Sequence, residues 1–149
     1  MKTILTALSL LIASMTASHS FEVSKQVTPS KIDSVAVAIN DGANDGCWTN
    51  LGEAKRYAED KLELAGFTVR STEDSWTPKG YLLSIGMTSS RGINGCFGSV
   101  SFKLYQPNWI DGVYGHFEVG AGGGVFTGQD NANQLILNYT RMFFDAFPK

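Results

Sequence analysis

The chain has 149 residues, with 12 Lys and Arg against 14 Asp and Glu and a net charge of −2. That length suits a single domain with a core of its own, not a small scaffold that several disulfides must hold together. The charges are scattered and slightly acidic overall, so no basic patch is available for nucleic acid or anionic lipid.

Residues 1–20 have the layout of a secretory signal peptide. Lys2 supplies the positive start, Ile4 to Met15 is apolar, and small or polar residues run from Thr16 to Ser20. The apolar run falls short of the ~20 residues a membrane span needs. Cleavage after Ser20 would put Ser18 and Ser20 at the two small-residue positions, and cleavage after Ser18 is the nearest competitor. No cysteine lies near this boundary, so a lipid anchor is not expected. No later segment is apolar enough to cross a membrane. The product is expected to be periplasmic or secreted, as one α+β domain over 34–149 preceded by an extended lead-in over 21–33.

Ser34 to Asn40 alternates, with Val35, Val37 and Ile39 on one face and Ala36 and Ala38 on the other, which predicts a strand. A Gly, Asn and Asp loop carries Cys47. Asn50 and Glu53 have capping-box spacing ahead of a helix whose apolar stripe is Leu51, Ala54, Ala58, Leu62 and Ala65. Gly66 ends it, and Phe67 to Arg70 reads as a short strand. A turn-rich loop over 71–80 carries Trp76. Tyr81 to Thr88 and Phe97 to Tyr105 alternate as strands, with Val100, Phe102 and Leu104 inward and Ser99, Ser101, Lys103 and Tyr105 outward. Asp111-Gly112 is a hairpin dipeptide. Val113 to Val119 returns, with Val113, Phe117 and Val119 inward and Tyr114, His116 and Glu118 outward. The last element is a helix from Asn131 to Phe147 with Asp130 as its cap. This order predicts an α+β two-layer sandwich: a mainly antiparallel sheet of about five strands with two amphipathic helices on one face.

Two cysteines in an oxidising compartment most often pair, so Cys47 and Cys96 are expected to form a disulfide. A redox pair would want closer spacing and basic neighbours. A metal site would want more ligands than His116, the one histidine left after cleavage, and neither a metal nor a cofactor is expected. The glycine-rich stretch 120–128 precedes the last helix, where backbone amides can bind an anion. It lacks the spacing of a phosphate loop, and a strand end with close backbone approach suits it better.

The candidate binding surface gathers Trp48, Trp76, Tyr105, Trp109, Tyr114, His116 and Glu118. The tryptophans lie near element ends, where they can anchor a partner or seal the core. Tyr105, Tyr114, His116 and Glu118 alternate onto an outer sheet face. His116 and Glu118 share that face two residues apart and could do acid–base work. A pleated strand makes such neighbours anyway, and no nucleophile motif accompanies them.

The Ala/Val first strand, the Asp111-Gly112 hairpin and the closing amphipathic helix, in this order in an exported chain, resemble small bacterial envelope domains. These are the amino-terminal domain of the Tol-system translocation protein, the penicillin-binding-protein activator lipoproteins and the curli secretion lipoprotein. The chain departs from the lipoproteins in lacking their acceptor cysteine. The resemblance implies a domain that binds another envelope component and brings no catalytic residues with it.

These features point to an exported, non-enzymatic binding or assembly accessory of the bacterial envelope. Its partner would be an envelope protein or polymer, with a homodimer through the open sheet face as a further arrangement. Two other readings use the same residues: a secreted inhibitor of a foreign enzyme such as a lysozyme or protease, presenting the Trp76 loop, and a small hydrolase using His116 and Glu118.

Overall fold

The alternating segments assemble into one six-stranded sheet. The computed structural model describes residues 20–72 and 80–148. The elements in chain order are β1 (Ser20–Val23), β2 (Ser34–Ala43), α1 (Leu51–Leu64), β3 (Val69–Arg70), β4 (Gly80–Gly92), β5 (Gly95–Ile110), β6 (Val113–Gln129) and α2 (Asn133–Asp145). The strand order across the sheet is β1-β6-β5-β4-β2-β3. β2 runs parallel to both β3 and β4, and the β4–β5, β5–β6 and β6–β1 pairs are antiparallel.

The α+β class and the mainly antiparallel sheet agree with the sequence, but two details differ. The sheet has six strands, because Ser20, the last residue of the expected signal segment, and the first three residues of the expected lead-in pair with β6 from Ser20↔Gly123 to Val23↔Gly120. It is also curled rather than flat. One contributor is a bulge in the β5–β6 ladder, where Leu104 faces Gly120 but Tyr105 faces Glu118, leaving Val119 as an extra residue. Such a residue bends its strand and sharpens the local twist.

The core lies between the helices and the inner sheet face. Ala54, Ala58 and Leu62 of α1 and Ile136, Tyr139 and Phe143 of α2 are buried against Val35, Val37, Leu83, Ile85, Phe102 and Leu104. Phe102 and Phe143 stack at 5.4 Å between ring centroids, and Phe21 of β1 packs edge-on to both, at 6.1 and 6.0 Å. Each such side chain contributes roughly 1.5–3 kcal/mol by leaving water. Phe21 reaches this cluster because Gly122 on the paired strand has no side chain; a Cβ there would fall on the Phe21 ring. The glycine-rich stretch is therefore part of a continuous strand and not a loop at a helix N-terminus, and α2 begins only at Asn133.

Cys47 and Cys96 are bonded, with their Cα atoms 5.7 Å apart and both residues fully buried. The bridge joins the loop before α1 to the first residues of β5. The Cys47 carbonyl also accepts the Ala132 amide at 2.8 Å, so the start of α2 is tied to the same point.

The helix starts do not form as the local pattern suggests. Asn50 precedes α1 but makes no side-chain cap bond. Its side chain instead accepts from the Trp48 indole at 3.0 Å and donates to Glu53 at 2.9 Å and to the Asn133 carbonyl at 3.3 Å. For α2 the cap position is Ala132 rather than Asp130. The Asn131 side chain accepts the Asn133 amide at 3.1 Å. Asn133 and Thr49 exchange two further bonds, so the two helix N-termini are laced together across 84 positions of sequence.

Candidate functional site

β5 and β6 are longer than the strands beside them. β4 pairs with β5 only between Gly95 and Tyr105, and β1 pairs with β6 only between Gly120 and Gly123. Among the described residues, Gln106–Ile110 and Val113–Phe117 therefore pair only with each other. They form a two-stranded arm that runs ~17 Å beyond the sheet, at about 3.4 Å per residue. Asp111 and Gly112 close it with φ angles of 50° and 80°, the left-handed pair that a two-residue turn between twisted strands demands.

The arm has two unlike faces. Facing pairs in the ladder put Tyr105, Pro107, Trp109, Tyr114, His116 and Glu118 on the outer face, continuous with Lys103. Trp109 and Tyr114 meet at 5.2 Å between ring centroids, Tyr114 and His116 at 5.7 Å, and His116 and Tyr105 at 6.3 Å. Cross-strand aromatic contacts of this kind stabilise the ribbon, and Pro107 at the centre of this face is fully buried. At the base of the arm, Lys103 pairs with Glu118 at 3.4 Å. The bond to Glu118 raises the Lys103 pKa above its ordinary value. On the other face lie Ile110, Val113 and Phe117, all exposed.

Five residues of the sequence-derived surface thus come together: Tyr105, Trp109, Tyr114, His116 and Glu118. Trp48 does not join them. It is 4% exposed and seals the core beside the disulfide, because its indole N–H finds Asn50 there. Trp76 lies outside the described residues. Val113 and Phe117 point to the helix side as their alternation suggests, yet Val113 is 70% exposed. Sequence reasoning missed Ile110, and with it the apolar inner face of the arm. The available signal was the length of unbroken alternation on both sides of Asp111-Gly112.

The outer face beyond the arm is small and polar. Asn40 donates to Ser84 at 2.7 Å, and Asn40, Asp41, Gly42, Gly86, Thr88 and Ser101 border an open groove of about 500 Å³. Among the described residues no group of three or more His, Cys, Asp or Glu could hold a metal ion. No helix among them is long and apolar enough to cross a membrane.

The fold and the arm define a small α+β domain with a curled six-stranded sheet and an extended two-stranded ribbon. No protein-family model and no curated protein matches the sequence. Among solved structures, the fold is similar to the PelC dodecamer from Paraburkholderia phytofirmans. In one crystal form the TM-score is 0.58 at 17% identity, covering 89% of this chain and 100% of that chain. A variant of the same protein in a second crystal form gives 0.55 at 15% identity, covering 88% and 97%. At this identity the likeness concerns the fold.

Proposed function

We propose that the chain is an exported, non-enzymatic subunit of a bacterial envelope assembly, which associates with copies of itself and engages an envelope protein or polymer. The observation that carries this reading is the arm. A two-stranded ribbon is marginally stable by itself, and one with apolar side chains on both faces gains stability by docking. The similarity to PelC, whose solved form is a dodecamer, supports a multi-subunit state over a monomer. The buried disulfide supports an oxidising compartment, and the resemblance to small envelope domains points the same way.

Native mass spectrometry of the oxidised chain beginning near Ser20 tests the reading, together with crosslinking in the intact envelope. The expected result is a species larger than a dimer and a reproducible crosslinked envelope component. A strictly monomeric protein that captures no envelope component overturns it.

A further inference from the structure

We propose that copies of this chain join head to tail, the β5–β6 arm of one copy seating on an apolar patch at the opposite end of the next. This rests on the reading above that the chain self-associates, and it adds which surfaces meet. The patch consists of Ile93 in the β4–β5 turn, with Phe97 and Val125 on the outer face. Ile93 is fully exposed and Val125 is 69% exposed. Phe97 lies over Gly92, where a Cβ would meet its ring at 3.3 Å, so the three side chains sit around one end of the hairpin. Phe97 and Trp109 are separated along β5 by ~40 Å at about 3.4 Å per residue.

Ile110, Val113 and Phe117 on the inner face of the arm expose on the order of 270 Å² and the patch on the order of 400 Å², the range in which a patch on a monomer often has a binding role. The inner face of one arm on one patch, at the apolar fraction usual between identical subunits, implies about 1,000 Å² of buried surface, the lower limit for a specific interface. Arm-to-arm pairing about a twofold axis would leave Ile93, Phe97 and Val125 in water. A head-to-tail contact covers both ends in every junction and propagates, closing into a ring where the rotation permits. The receiving end is also rigid before contact. Arg91 donates to the Asp45 carbonyl at 3.1 Å and to the Asp130 carbonyl at 2.9 Å, and the Cys47–Cys96 bridge lies beside it. Preorganisation of that kind lowers the ordering cost of association.

The test uses Val113→Lys on the arm and Val125→Lys on the patch, with Ile93→Lys as a second patch variant that lies in a turn and touches no strand ladder. Thermal melts followed by circular dichroism establish which variants are folded. Native mass spectrometry is expected to show each folded variant as a monomer. An equimolar mixture of the arm variant with either patch variant is expected to give a heterodimer, because one intact arm and one intact patch remain. Patch variants that stay as large as the wild type overturn the proposal, as does a mixture that yields no heterodimer. A monomeric wild-type chain would instead overturn the reading of self-association itself.

Discussion

Cys47 and Cys96 show how far single residues could be read. Two cysteines in the whole chain leave one pairing, and the bridge forms. In the chain-entropy model a loop closed across a separation of 49 residues contributes about 4 kcal/mol. Replacing both cysteines by Ala is expected to lower the unfolding free energy by about that amount, measured by denaturant titration, and to lower Tm by ~15 °C. Tyr139 supplies a second prediction. Burial raises its phenol pKa above the ordinary 10.0, and burial raises Tyr81 likewise. A tyrosine whose pKa is raised in the fold binds its proton more tightly there than in the unfolded chain. Its stabilisation is therefore complete below pH 10.0 and is lost as pH rises above it. Melts across the alkaline range should show this fall, and Tyr139→Phe should flatten it. Asn50 marks the limit of local reading. Its spacing to Glu53 is that of a capping box, but Trp48 and Asn133 draw its side chain away. One of those partners is distant in sequence, so no local pattern announces it.

At the level of elements, periodicity identified most strands and both helices, and the inward residues of β5 proved buried. It failed where pairing rather than pattern makes a strand. Ser20–Val23 is short and mixed in character, and becomes β1 only because β6 offers a glycine opposite Phe21. The same glycines read as no more than a strand end because they carry no alternation, yet they continue β6 as far as Gln129. Gly122→Val should therefore push the Phe21 ring out of the core and detach β1, at a cost of about 2–3 kcal/mol. Hydrogen exchange would report it as faster amide exchange over 21–24, with the β4–β5 ladder unchanged. Unaltered protection of β1 would mean that the ring finds another seat.

For the whole molecule, the proposed binding role of the arm can be tested apart from folding. Tyr105 and Glu118 already face each other, so excising residues 106–117 and joining the strands through Asn-Gly should leave the sheet closed by a two-residue turn. The shortened protein is expected to melt within about 5 °C of the wild type. It should nevertheless run as a monomer by light scattering. A large loss of stability would show that the arm supports the core. The sequence by itself determined the cysteine partnership, the α+β class and the outward alternation of Tyr105, Tyr114, His116 and Glu118, because each follows from composition or from neighbours a few residues apart. Only the tertiary structure decided that Trp48 is sealed inside, that β1 exists, and that Ile110, Val113 and Phe117 stand in solvent. Whether an apolar strand face is buried depends on where the adjoining strands and helices end, and that is a relation between distant segments that no local pattern contains.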